Sequence, residues 1–333
     1  MTDNSIIERE ILRINCYYDL INSINIKIKE YFEEPKKIKA IIIRWLLIKI
    51  IVRTKEDDEL FIKTTSNDLE HQINVDMLYF YSNMFTKEEI KIKSKKIYIY
   101  YESLMSRYDK LIKTIETPDD SILQYVNKKF IYKSNKLKSI HDDYVSIKNK
   151  TIELYFPYNI INDNKKYVFL SYLRYKYIYI DNQSLMYNYD VLDDGIECFS
   201  TPFNKTHKLY CSAFPEIEHH LGSLGEFFNS MRNAITKDFI FPSKRLYINP
   251  PFDETYDYHV SKISIEFLDA METGYELSFI YPNWNDFKAK DLLLDSKYFY
   301  KKEIFKKGEL YFTNKFTHKS ISPCDIIIMY LKN

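Results

Sequence analysis

Glycine is scarce in this chain. Only five occur in 333 residues, and all lie at or after Gly195. Tight ligand-cradling turns draw on glycine, so their absence from the first half suits helices with simple connections. The four cysteines, Cys16, Cys198, Cys211 and Cys324, show no paired spacing. That excludes a disulfide framework or a zinc ribbon and fits a reducing compartment. His219-His220 has no partnering cysteines or spaced third ligand, and His207, His259 and His318 stand alone, so no metal is expected. Long apolar runs are missing too. The most apolar stretch, Ile41 to Val52, is interrupted by Arg44 and Lys49 and is too short for a bilayer, so it reads as a buried amphipathic helix. Met1-Thr2-Asp3-Asn4 has no basic segment leading into an apolar one, so no signal peptide and no membrane association are expected. G-x-G-x-x-G and G-x-x-x-x-G-K-[ST] are both absent, which excludes a dinucleotide dehydrogenase and a P-loop enzyme. Charge of one sign is lacking as well. A net charge of +1 creates no overall positive field, so any nucleic-acid contact must come from local patches.

The chain does have enough apolar residues, 45%, for a globular protein, and its length suits two domains. It is also rich in Ile, Lys, Asn and Tyr, whose codons are AT-rich, a hint of a genome such as that of a large DNA virus or a parasite. The division falls near residue 160. Residues 1–160 read as a mainly helical N-terminal domain and 161–333 as an α/β domain. Ser5-Ile6-Ile7-Glu8 has capping-box spacing and opens a helix that Pro35 ends. Further helices are expected from Lys37 to Arg53, from Asn67 or Asp68 to about Phe85, after Thr117-Pro118, and from Tyr167 to Tyr179. Lys95 to Tyr101 alternates well enough to allow a strand. From Gly195 onward, short apolar runs alternate with helices. Strands are expected at 195–199, 209–214, 244–248, 276–281 and 325–331, with a helix over 256–272. That order predicts an open α/β sheet, whose ligand sites lie beyond the carboxyl ends of the strands.

The sharpest motif, Asn249-Pro250-Pro251-Phe252, follows the strand expected at 244–248. Prolines carry no N–H and have fixed φ, so their carbonyls are held stiffly. The Asn side-chain oxygen beside such a carbonyl makes a pair of acceptors, matching the two N–H donors of an exocyclic amine. Phe252 offers a stacking face for a flat base. This arrangement suits methylation of the adenine amino group, whose lone pair is delocalised into the ring. Catalysis would then rest on positioning and hydrogen bonding rather than on a dedicated general base. A strand-ending Asn-Pro turn accounts for the same residues without chemistry. The motif alone does not choose between DNA and RNA.

The surrounding residues add a resemblance. Glu197-Cys198-Phe199-Ser200-Thr201-Pro202-Phe203-Asn204, then Tyr210 to Glu218, then Gly222-Ser223-Leu224-Gly225 precede the Asn-Pro-Pro-Phe, and Phe279-Ile280-Tyr281-Pro282-Asn283-Trp284 follows it. This series closely resembles the cap-specific adenosine N6-methyltransferase family of the phosphorylated C-terminal-domain-interacting-factor type. Leu173-Arg174-Tyr175 and Lys306-Lys307 extend the likeness. It covers roughly the second half of the chain. It implies a class I, Rossmann-like methyltransferase domain that uses S-adenosylmethionine to methylate N6 of the 2′-O-methyladenosine next to an mRNA cap. By the same resemblance, Asn249, Pro250, Pro251 and Phe252 are catalytic. Glu197, Ser200, Pro202 and Asn204 fall where the loop holds the methionine part of the cofactor. Phe214 joins them in the cofactor set, Glu216 or Glu218 takes the ribose hydroxyls, and Gly222, Ser223 and Gly225 allow close backbone approach. Leu224 stands where the family usually has arginine, and the N-terminal WW module of the animal protein has no counterpart here.

Arg174, Trp284, Lys306 and Lys307 are the candidate cap- and substrate-binding residues. Each has a plainer reading: an interdomain ion pair for Arg174, a core position for Trp284, a solvated face for the lysines. The same holds for Lys301-Lys302, Lys91 to Lys96 and Lys128 to Lys138. Capped RNA is the expected partner, with other capping or transcription proteins beside it. An intracellular location follows, cytoplasmic for a viral protein and nuclear otherwise. A DNA or internal-RNA adenine methyltransferase, or a non-catalytic cap-binding scaffold, would use many of the same features.

Overall fold

The computed structural model describes residues 3–33, 41–42, 45–46, 67–113, 167, 171, 184–186, 195–202, 205, 207–313, 320–322 and 324–333. The chain divides into two compact units, 1–157 and 158–333.

In the first unit the described elements are helices: α1 (Asp3–Lys29), α2 (Asn67–Tyr81) and α3 (Lys87–Lys113), with helical backbone also at Ile41, Ile42, Trp45 and Leu46. Helix α1 buries Leu12, Cys16, Leu20, Ile24 and Ile28 on one stripe, because residues four apart share a helix face. It starts at Asp3, so Ser5 lies inside the helix rather than capping it. An acid at the amino end suits the helix dipole, which favours the earlier start. The strand allowed over Lys95 to Tyr101 is helix instead. There, Ile97, Tyr101, Leu104 and Tyr108 are buried at three- and four-residue steps, and that longer period outweighs a short alternation. A capping box does exist, at the head of α3. The Thr86 amide donates to Glu89 (2.9 Å), and the Glu89 amide donates to the Thr86 hydroxyl (3.3 Å). Tyr108 donates to Asp19 (3.0 Å) and the Trp45 indole to Asp76 (2.9 Å), so polar ends of large buried side chains find partners. The segment after Thr117 and the lysines 128–138 lie outside the described residues.

The second unit is a mixed α/β structure. Its elements are β1 (Ser184–Met186), β2 (Ile196–Glu197), β3 (Leu209–Tyr210), α4 (Pro215–Glu218), a 3₁₀ turn (His219–Leu221), α5 (Phe227–Ile235), β4 (Arg245–Ile248), α6 (Glu254–Ala270), β5 (Glu276–Pro282), α7 (Lys288–Leu294), β6 (Phe299–Phe305), β7 (Tyr311–Thr313), β8 (Ser320–Ile321) and β9 (Ile326–Lys332). Six strands form one sheet in the order β3-β2-β4-β5-β9-β6, while β1, β7 and β8 form a small antiparallel sheet. Strands β3, β2, β4 and β5 pair in parallel, and β9 runs antiparallel between β5 and β6. Leu277 to Pro282 are buried without a break, as expected of a central strand covered on both faces. Edge strand β6 instead exposes Tyr300, Lys301, Lys302 and Ile304, and such lysines discourage pairing with another sheet. The sequence reading found β2, β3, β4, β5 and β9 but not β6, whose charged residues hide its alternation. Tyr167 and Ser171 are helical, and the rest of the helix expected at 167–179 lies outside the described residues.

Candidate active site

The connections of the sheet create a topological switch point. From β2 the chain moves outward to β3, then returns across β2 to form β4 on its other side. Adjacent connections therefore leave the sheet in opposite directions between β2 and β4. In open α/β sheets such a switch point, at the carboxyl ends of the strands, is where ligands bind. The two turns that flank it are 198–202 after β2 and 249–253 after β4. They begin side by side, since Glu197 pairs with Tyr247 and the Cys198 amide donates to the Tyr247 carbonyl at 2.8 Å.

Asn249, Pro250, Pro251 and Phe252 occupy the second of these turns. Leu246 and Ile248 anchor β4 in the core, and the ladder to β5 ends at Ile248 opposite Phe279. Two prolines cannot continue it, because neither offers an N–H. Strand β5 runs on to Pro282, paired only with β9 beyond the end of β4. Asn249 and Phe252 are half-buried there, and Pro250 is buried. Phe252 packs against Ile280, Leu310, Ile326 and Ile328, so one side of its ring is fixed by core residues. Asp253 closes the turn as the N-cap of α6, accepting the Tyr256 amide at 3.1 Å. Tyr256 is buried beside Phe199 and Phe228, at 6.0 and 5.4 Å between ring centres, and Phe199 meets Phe227 at 4.5 Å. An aromatic wall thus joins the turn after β2 to α5 and to the head of α6. Burial raises the Tyr256 hydroxyl well above the usual phenol range, so it stays protonated.

The residues expected to hold a cofactor gather along β2 and β3. Ser200 and Thr201 are buried in the first turn, and Pro202 is buried beside them. The Ser200 amide donates to Cys211 (3.1 Å) and the Cys211 amide to Glu197 (2.8 Å), which binds that turn to the next strand. Gly222, Ser223 and Gly225 lie on the outer side of β3. Ser223 bridges to Tyr210, and the Ser212 and Ser223 hydroxyls meet at 2.7 Å. Gly222 ends the 3₁₀ turn at φ +91°, a left-handed conformation that explains glycine at this position without any ligand. Phe214 is fully buried, and its carbonyl accepts the amides of Ile217 and Glu218. Glu218 is enclosed and accepts the Ser171 hydroxyl, whereas Glu216 is half-buried. Asn204 and Arg174 lie outside the described residues.

Trp284, Lys306 and Lys307 sit at this same end of the sheet. Trp284 follows β5 and is 42% exposed, so it is not the core tryptophan its plainer reading allowed. Its ring meets Phe287 edge-on at 5.5 Å, and its carbonyl accepts Lys290 at 2.6 Å. Lys306 pairs with Asp325 (3.0 Å), and the Lys307 amide donates to the same carboxylate (2.8 Å). Those contacts, the Lys307 amide first, hold the Asp325 carboxyl below the usual range. Both lysines follow β6, three strand positions from Asn249, roughly 14 Å at ordinary strand spacing.

Residues 164–315 match the family described as Phosphorylated CTD interacting factor 1 WW domain. That segment is similar to this family. The family expected from the sequence motifs is therefore borne out. The phosphorylated CTD interacting factor 1 match lies on the α/β unit and contains one tryptophan, Trp284. The likeness points to cap-associated adenosine methylation. Among the described residues no helix is long and apolar enough to cross a membrane, and no His, Cys, Asp and Glu group is arranged to hold a metal.

The sequence reading missed two features of the site. His207, read as a lone histidine, places a ring nitrogen 3.6 Å from the Glu197 carboxylate and stacks on Tyr247 at 4.5 Å. Gly195 lies beneath them, where a Cβ would overlap the Tyr247 ring. No spacing in the sequence links residues 195, 197, 207 and 247, because strand pairing alone assembles them. Asp257 was also missed. It is fully buried one helical turn beyond Asp253 and supports the amide of that residue.

Proposed function

We propose that this chain is an RNA adenine-N6 methyltransferase acting on the cap-adjacent (2′-O-methyl)adenosine of mRNA, with S-adenosylmethionine as donor. The observation that carries the reading is the half-buried Asn249-Pro250-Pro251-Phe252 turn at the switch point of the sheet. The strand order and the single reversed strand β9 support a class I, Rossmann-like methyltransferase domain. The residues present suit the donor, since buried hydroxyls at Ser200 and Thr201 and the buried Glu197 carboxylate stand beside the aromatic rings of Phe199 and Phe227 at the end of β2. Ser200, Pro202, Glu216 and the Gly222–Gly225 backbone would hold it. When bound, it supplies a methyl group on a positively charged sulfur.

The chain's own residues do the rest. The Asn249 side-chain oxygen and the Pro250 carbonyl accept the two amine hydrogens of adenine. Two acceptors fixed by stiff backbone draw those hydrogens from the ring plane and free the nitrogen lone pair, with little reorganisation. Phe252 presents an aromatic face to the unstacked base, its far side held by Ile280 and Ile328. Exposed Trp284 offers a second stacking surface, and Lys306 and Lys307 bring positive charge for phosphate.

The decisive measurement compares methyl transfer to capped RNA beginning with 2′-O-methyladenosine, to uncapped RNA and to duplex DNA, with mass analysis of the first nucleotide. Capped RNA is expected to react far faster and to carry the methyl on N6. Equal rates on all three would reject the cap assignment. Absence of both turnover and cofactor binding would favour a scaffold.

A further inference from the structure

Asp257 is a buried acid with no counter-charge among the described residues, at the point where the proposed methyl-transfer turn meets helix α6. Its side chain has no exposed surface, yet it stands only four residues after Asp253. One carboxyl oxygen accepts the Asp253 amide at 3.3 Å. That amide belongs to the peptide leaving Phe252. The other oxygen has no hydrogen-bond partner among the described residues. The backbone carbonyl of Asp257 accepts the Tyr281 hydroxyl at 3.1 Å, and the same hydroxyl meets Ser261 at 2.9 Å. Tyr281 lies on β5, in the part that runs past the end of β4. Asp257 therefore connects the sheet on one side to the turn on the other.

We propose that Asp257 is a positioning residue: its carboxyl group fixes the peptide after Phe252, and so orients the Asn249–Phe252 turn against the base that turn receives. The inference rests on the methyl-transfer reading of that turn. The four motif residues contain two prolines, which donate nothing, so an anchor must come from the amides beside them. An N-cap contact alone, Asp253 to the Tyr256 amide, ties the turn to the helix. The Asp257 contact ties it to the helix in the reverse sense, and through Tyr281 to β5. Two opposed contacts restrict rotation of the turn more than either alone.

The group performs this task uncharged. Burial pushes the Asp257 carboxyl well above the usual carboxylate range, the nearby Asp253 carboxylate pushes the same way, and the Asp253 amide opposes them in part. Tyr256 and Tyr281 also face this region, both held protonated chiefly by burial, and Glu226 adds a further negative charge near Tyr256. An ionised carboxylate here would be costly, because no cation among the described residues balances it. A neutral amide of the same shape should serve equally well.

The test uses the full chain with Asp257→Asn, Asp257→Ala and Asp257→Leu, the last filling the volume without an acceptor. Amide hydrogen exchange over residues 249–257 is measured alongside kcat and KM on the capped RNA probe. Asp257→Asn is expected to match the wild type in both. In Asp257→Ala and Asp257→Leu, exchange at the turn should rise and kcat should fall by about tenfold or more, with KM and cofactor affinity changed by less than about threefold. Wild-type exchange and kcat in either of these two variants would overturn the proposal. So would an Asp257→Asn variant as impaired as Asp257→Ala, since that would require the charged form. Should the wild type transfer no methyl group to any probe, the enzymatic reading falls, while the exchange measurements still decide whether Asp257 holds the turn.

Discussion

Asn249 and Asp257 show two different ways in which a single residue matters to this turn. Asn249 stays half-buried at the end of β4, next to the buried Pro250. Asn249→Ala removes one of the two proposed amine acceptors while leaving the backbone in place. Turnover is expected to fall by ~10²-fold or more with little change in cofactor affinity, as read by steady-state kinetics and calorimetry. Unchanged turnover would remove the mechanism. Asp257 acts on stability through its proton. Its carboxyl is raised in the folded chain, chiefly by burial, so the folded state binds a proton that the unfolded state releases above about pH 4. Its contribution is thus complete at low pH and is lost as pH climbs toward the folded value. Asp257→Asn should therefore melt above the wild type at neutral pH, with the difference shrinking toward about pH 4. Parallel melting curves across that range would mean that the carboxyl is ionised in the fold. The first of these residues was legible from its sequence motif. The second was not, because an aspartate near a helix start reads as an ordinary capping acid until its burial is known.

Elements tell a similar story about what local sequence can reveal. Strands β4, β5 and β9 are long enough for their apolar residues to declare them, and the helix after Asp253 announces itself by spacing. Strands β2 and β3 keep only two residues each, although both were expected to be longer. The single amide bonds from Cys198 and Cys211 carry their pairing one step further before the loops leave the sheet. Helix α5 has an unusual start, since Glu226 is a buried cap whose carboxylate accepts the Phe228 and Asn229 amides at 3.0 and 2.9 Å. Glutamate is seldom chosen for this position, and nothing in its neighbours signals the role. Glu226→Ala leaves two amides unpaired at the base of the aromatic wall. We expect a loss of about 1 kcal/mol, or roughly 2–4 °C in the melting of the second unit, with Glu226→Gln losing less. Calorimetry of the full chain checks this, and equal melting of all three forms would show that solvent replaces the cap.

At the scale of the whole molecule, the thiols report on packing in both units. Cys16, Cys198 and Cys211 are buried and Cys324 is half-buried, and none is in a disulfide. Burial raises the Cys198 thiol well above its usual range, and the neighbouring Cys211 adds to the effect. A buried thiol that holds its proton reacts slowly. Titration of the native chain with a thiol reagent should therefore show one accessible group, Cys324, and all four after denaturation. Rapid reaction of more than one in the native state would contradict the packing of either unit. Composition and motif order pointed to much before any coordinates: a helical part and an α/β part, a family likeness, and the Asn249–Phe252 motif. Those features are local, since hydrophobic period, proline stiffness and side-chain chemistry act between neighbours in the chain. Only the tertiary structure decided that β9 runs backwards between β5 and β6, that the turns after β2 and β4 begin side by side, and that His207 meets Glu197 while the buried Asp257 accepts the Asp253 amide. Each of these depends on which strands pair, and pairing is set by the burial of whole faces against one another, which no short stretch of sequence contains.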